Sequence, residues 1–278
     1  MKTRHLPHSR LTFMAVCTVA TVLTLLPTFA PAQGAPKSPI GKIYVASVSG
    51  ESLINHGEKL ETMSVKSAYR AEGSIIETKP KATNALVYSN GTGIFFDPDT
   101  RIDIEKFHQE AFTPNRTDLE VEPSRSQTEV LLVRGTIGLC TGKLVAGSSM
   151  VYRTALGSVT SQSGKLVIEY GPEATKFSLL EGEGLVRGGL LDLGGKVLHP
   201  GEQAIVQRGG SSEANNVVVT PIPDADRPAL DERVYAACAA RKTVYFDTSA
   251  GDGSEVTAVP VVPQNLPVPV TVSPAKLP

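Results

Sequence analysis

Residues 90–105 read NGTGIFFDPDTRIDIE, and this stretch decides the fold. After Asn90-Gly91 the side chains alternate. Ile94, Phe96, Pro98, Thr100, Ile102 and Ile104 fall on one parity; Phe95, Asp97, Asp99, Arg101, Asp103 and Glu105 fall on the other. Successive side chains of a strand point to opposite faces, so the pattern predicts a half-buried β segment with a charged outer face. Asn90-Gly91 predicts a hairpin, because both residues tolerate positive φ. Asp97-Pro98-Asp99 suits a corner or bulge. Phe95, Asp97, Asp99, Arg101 and Asp103 are the expected contact surface. The stretch is built to present a shape and holds no reacting group.

Outward from it, further strand candidates cover residues 42–48, 74–78, 83–89, 129–134, 143–146, 150–154, 165–170, 176–180, 185–187 and 203–207. The first stretch itself supplies 93–96 and 101–106. Turn glycines separate the candidates, among them Gly142, Gly164, Gly182 and Gly184. Many short strands at ~8–12-residue spacing predict an all-β fold, either a compact solenoid-like domain or a sandwich. A parallel solenoid and an antiparallel sandwich both fit this spacing. Residues 107–127 are polar and aperiodic with two prolines, which predicts a long surface loop. One helix is predicted at 229–242, started by Asp226-Arg227-Pro228, with Leu230, Val234, Ala237 and Cys238 on one face. It is expected to cap an open end of the β core, the alternative being a docking helix for a partner. Residues 243–247 suit an edge strand, and the proline-rich tail is expected to be extended and mobile.

At the other end, Lys2, Arg4 and Arg10 precede a short apolar run at 11–27, and Ala30-Pro31-Ala32 is a small-x-small site. This predicts a secretory signal peptide cleaved between Ala32 and Gln33, the alternative being an uncleaved membrane anchor. The expected organisation is 1–32 signal peptide, 33–40 leader, 41–210 β domain, 211–227 linker, 228–248 helix plus edge strand, and 249–278 disordered tail. Loss of the signal peptide takes the formal charge of the 278-residue chain from -1 to -4, because three basic residues leave with it. Charge is dispersed without a basic stripe, which argues against nucleic acid, and no other segment is apolar enough to span a membrane. Export permits a disulfide between Cys140 and Cys238; two separate buried thiols fit equally.

No nucleophile elbow, zinc-protease pair or phosphate loop is present, and no cofactor is expected. His56, His108 and His199 are scattered. Asp97, Asp99 and Asp103 have the oxygen chemistry for calcium but lack the glycine and distal glutamate of a calcium loop, and alternation explains them as an outer face. Glu181 and Glu183 flank Gly182 and have the residue types of a glycosidase pair. They sit in a glycine-rich run, in a chain with no Trp and 5% aromatic residues to wall a sugar cleft. The sequon Asn90-Gly91-Thr92 is better explained as a turn; Asn115-Arg116-Thr117 is a second sequon.

Gly73-Ser74-Ile75-Ile76-Glu77-Thr78 is followed by the apolar run 82–89, by Asn90-Gly91-Thr92, and by the alternating Ile94, Phe96, Pro98, Thr100, Ile102 and Ile104. Later come Arg153-Thr154-Ala155-Leu156-Gly157-Ser158, FSLLEGEGLV at 177–186 and HPGEQAIV at 199–206. In this order they resemble the FecR-domain family of bacterial periplasmic proteins, with Ala155 where proline is usual. The resemblance covers residues 43–208. Family sensors carry a cytoplasmic anti-sigma segment and one transmembrane helix. Here only ten residues precede the apolar run, so a stand-alone exported domain is expected. The resemblance then implies a non-enzymatic binding or scaffolding module that contacts a protein or an envelope polysaccharide. The alternatives are a signal-sensing component of a regulatory system and a carbohydrate-active enzyme on a β-rich fold.

Overall fold

The computed structural model describes residues 40–113, 119–189, 191–208, 215–248 and 255–261. The expected signal peptide with its Ala32/Gln33 cleavage site, the sequon at Asn115 and the tail beyond Val261 lie outside the described residues.

The described residues are all-β with one helix. Its first strands are β1 (Lys42–Ser49), β2 (Ser52–His56), β3 (Lys59–Thr62), β4 (Ala68–Arg70), β5 (Ser74–Thr78), β6 (Thr83–Tyr88), β7 (Gly93–Phe96) and β8 (Arg101–Gln109). Longer strands follow: β9 (Ser126–Thr141), β10 (Ser149–Arg153), β11 (Ser158–Tyr170) and β12 (Ala174–Arg187). Then come β13 (Lys196–Leu198), β14 (Glu202–Gln207), β15 (Asn216–Pro221), the helix α1 (Arg227–Arg241), β16 (Val244–Asp247) and β17 (Thr257–Pro260).

Fifteen strands form one sheet, and pairing shows how it folds over itself. Residues 126–134 of β9 pair with β8 and β10, whereas 135–141 pair with β7 and β11. Likewise β11 and β12 pair with one set of neighbours before the facing glycines Gly164 and Gly182 and another set after them. A front layer therefore runs β3-β2-β5-β8-β9-β10-β11-β12-β13. A back layer runs β4-β1-β6-β7-β9-β11-β12-β14-β15. The strands β9, β11 and β12 belong to both. They bend at Gly135, Gly164 and Gly182, which sit at φ +91°, +111° and +92°, backbone that side-chain-bearing residues rarely adopt. Strands that change layers at such bends make the corners of a sandwich. All pairings between named strands are antiparallel except β9 with β10, which decides against a parallel solenoid.

The inner faces of both layers share one core. Ile43, Leu86, Ile94 and Phe96 come from the back layer, and Ile76, Ile102, Ile104 and Tyr152 from the front. The parity predicted for 94–104 holds, with Ile94, Phe96, Thr100, Ile102 and Ile104 fully buried and only Pro98 turned out at the corner.

The back layer is covered on its outer side as well. Leu230 and Val234 of α1 pack on Val167, and Ala240, Val244, Phe246 and Val256 pack on Tyr44, Ala85 and Val87. The helix thus lies across a sheet face and does not cap an end. That third layer explains why residues 85–88 are apolar at every position, where a half-exposed strand would alternate.

Several other expectations are corrected. Gly164, Gly182 and Gly184 lie inside strands, because glycine marks a bend as readily as a turn. The candidate strand 143–146 is loop with one isolated bridge at Lys143. The predicted loop 107–127 loses both ends to β8 and β9, since a bulge between Ile104 and Lys106 switches the parity and turns Phe107 and Gln109 inward. The predicted linker 211–227 contains β15, and the predicted tail contributes β17, whose preceding Val256 is buried against the helix layer.

Candidate binding surface

The expected contact residues do not form one surface. The corner at 97–100 carries the chain from back layer to front, so the outer parity continues but emerges on opposite sides of the sandwich. Thr78 and Thr100 pin this corner. Thr78 Oγ1 donates to Asp97 O (2.6 Å) and accepts from Thr100 N (3.0 Å); Thr100 Oγ1 accepts from Thr136 N (3.0 Å).

Phe95 and Asp97 lie on the helix side and are not a free contact surface. Phe95 packs into the apolar cluster beneath α1 and β16. Asp97 accepts from Arg233 Nε at 2.7 Å. At the other end of the helix, Arg241 Nε donates to Gly91 O (2.7 Å), and Cys238 is disulfide-bonded to Cys140 of β9. The sheet is shaped for this contact. A Cβ at Gly93 would stand 2.0 Å from Ala237 O, and one at Gly138 would stand 2.9 Å from the backbone of Arg233. Only glycine lets the helix backbone approach so closely. The Asn90 hairpin is also interior. Asn90 is buried, its Oδ1 accepts from Thr92 N (3.1 Å), and its Nδ2 donates to Ser126 Oγ (3.2 Å). Of the pair, only Gly91 has positive φ.

Asp99, Arg101 and Asp103 lie on the front side, whose outer face is covered by no element among the described residues. There Glu77 joins Lys79 (2.8 Å), Arg101 (3.0 Å) and Arg134 (3.2 Å), and Arg134 reaches Asp99 (3.0 Å). The hydrogen bond from Lys79, reinforced by Arg101 and Arg134, holds the Glu77 carboxyl below its ordinary range against the opposing effect of burial. Val133, next to Arg134 on β9, and Val197, on β13 at the far edge of the same layer, are exposed at 41% and 56%.

Across β8 to β12 the same face sinks into a cleft of about 620 Å³. Leu131 and Arg153 are register partners on its floor, Arg187 stands on one wall, and the turn at 154–158 and the loop bearing Asp192 and Leu193 complete it. Arg153 is ion-paired with Glu105, while its Nε is buried without a hydrogen-bond partner. Asp192 accepts from the amides of Gly188 (2.9 Å), Gly194 (3.2 Å) and Gly195 (2.8 Å). These bonds, led by that from Gly188, hold its carboxyl below the ordinary range and fix the loop. Sequence reading missed Arg153 and Arg187. Parity was the available signal: Val151 with Arg153, and Leu185 with Arg187, are outward pairs at strand ends.

The other candidates stay apart. Glu181 is ion-paired with Lys165 at 2.5 Å on the bent β11–β12 ribbon, two positions from exposed Glu183. His56 Nδ1 bonds Ser74 Oγ (3.2 Å), and His199 N–H donates to Glu202 (2.9 Å). Among the described residues no three His, Cys, Asp or Glu side chains group as metal ligands, and no helix is long and apolar enough to cross a membrane.

No family model matches the chain, and no curated protein matches it. Two crystal structures from Parabacteroides distasonis ATCC 8503, each described as a candidate anti-sigma factor, are similar in part. The 2.50 Å structure has TM-score 0.40 and 16% identity over 56% of this chain and 62% of that one. The 1.65 Å structure has TM-score 0.41 and 12% identity over 68% of this chain and 99% of that one. The chain thus spans less than two thirds of the first, and at these TM-scores the likeness carries no argument here.

Proposed function

We propose that this chain is an exported, non-enzymatic binding module of FecR-like type, and that it meets a protein partner through the open front face of its sandwich. The observation that carries the proposal is the asymmetry of the two outer faces. One is closed by a helix, a strand pair, two arginine contacts and a disulfide. The other has no covering layer among the described residues and displays valines, paired charges and a cleft. An antiparallel sheet tolerates one solvated face, and mixed apolar and charged patches of this kind serve recognition. The basic, apolar and small-x-small order of the first 32 residues supports export, and a disulfide between Cys140 and Cys238 suits an oxidising compartment.

Photo-cross-linking in the producing cell tests the proposal. A cross-linker replacing Val133 or Val197 is expected to trap a discrete partner, and one replacing Tyr235, 74% exposed on the helix, is expected to trap none. Adducts from Tyr235 alone, or turnover of a substrate by the purified chain, would overturn it.

A further inference from the structure

We propose that the cleft on the front face is an acidic-peptide site, receiving an Asp or Glu side chain of the partner beside an apolar residue. This deepens the binding-module reading and rests on it. Two guanidinium groups face the cleft and are unequally satisfied. Among the described residues no carboxylate lies within ion-pair distance of Arg187. Asp192, the acid whose charge it feels, is already engaged by three backbone amides. Arg153 gives one nitrogen to Glu105 and leaves Nε unpartnered. A carboxylate entering here meets a planar cation with free donors, the geometry in which arginine binds carboxylates through two parallel bonds.

Apolar groups accompany the charge. Leu131 lies on the floor, and Leu193 stands 88% exposed at the rim, where water gains nothing from it and a bound side chain would cover it. Among the described residues no aromatic side chain lines the cleft, so they offer no stacking platform of the kind that favours a sugar, and the paired arginines and leucines select a peptide over an acidic glycan. Its volume falls within the ~300–1,000 Å³ typical of ligand sites.

Fluorescence anisotropy on the whole chain tests this, with a labelled Leu-Glu-Leu-Glu peptide amidated at its C-terminus, its Leu-Gln-Leu-Gln counterpart, and unlabelled tetragalacturonate as competitor. The acidic peptide is expected to bind at least ~10-fold more tightly than the glutamine peptide. Arg187→Gln is expected to weaken it by at least ~10-fold, and Lys143→Gln, remote from the cleft, to leave it unchanged. Leu193→Asp places a like charge at the rim on an exposed loop without touching the core; it is expected to weaken binding similarly with an unchanged melting temperature. Equal binding of the two peptides, indifference to both cleft variants, or displacement by tetragalacturonate at lower concentration than the free acidic peptide would overturn the proposal. Those failures would leave cross-links at Val133 and Val197 standing, whereas cross-links confined to Tyr235 would remove the broader reading as well.

Discussion

Two glycines and two glutamates carry the sharpest residue-level consequences. Gly93→Ala and Gly138→Ala each push a methyl into the helix backbone. Urea titration is expected to show a loss of about 1–3 kcal/mol or more for each, and an unchanged midpoint would mean the helix is not seated there. The glutamates respond to pH with opposite signs. Glu77 has a lowered folded value, set first by Lys79, so its contribution is present above the ordinary carboxylate range and is lost as pH falls through the folded value. Glu122 is buried, with Val145 N, Ser148 Oγ and Ser126 Oγ donating to it, and burial raises its value despite them. Its contribution is present below the ordinary glutamate value and is lost as pH rises through the folded value. Glu77→Gln should therefore lose less stability on acidification than the parent chain. Glu122→Gln should lose less as pH climbs from the ordinary glutamate value toward neutrality. Urea midpoints measured across pH check both, and parallel profiles for the two variants would contradict these assignments.

The helix layer is the element with the most to reveal. Its bond between Cys140 and Cys238 closes a separation of 98 residues, so Cys238→Ala is expected to cost about 2–4 kcal/mol in non-reducing urea titrations. Apolar packing and Arg233–Asp97 remain in that variant, so its far-ultraviolet spectrum should keep the helix signal; loss of that signal would show that the bond alone holds the layer. The helix itself was legible in the sequence to within two residues, because alanine-rich composition and Pro228 are local signals. Where it docks was not legible. The cue is distributed over Gly93 and Gly138, which read as ordinary small residues until α1 lies on top of them. The bends in β9, β11 and β12 were hidden for a related reason: Gly164 and Gly182 look like chain breaks in one dimension, and only pairing shows the strands continuing through them. The bulge at Ile104/Lys106 hid the end of β8 by flipping its parity.

At the scale of the whole molecule, the alternation in residues 90–105 correctly separated inside from outside but could not say which outside. Sidedness depends on the corner at 97–100 and on a helix more than a hundred residues later, so Phe95 and Asp97 became half-buried supports of the helix layer while Arg101 and Asp103 stayed on the open face. The cleft was harder still to foresee, since Arg153 and Arg187 come together only when β9 to β12 pair side by side. The result is a sandwich with one sealed side and one available side. Amide hydrogen exchange of the whole chain, with and without envelope extract from the producing cell, tests that division most directly. New protection is predicted in β8, in residues 126–134 of β9, in β10 and in residues 184–187 of β12, with none in α1 or β16. Protection gained in α1 and β16, with the front strands unchanged, would contradict it.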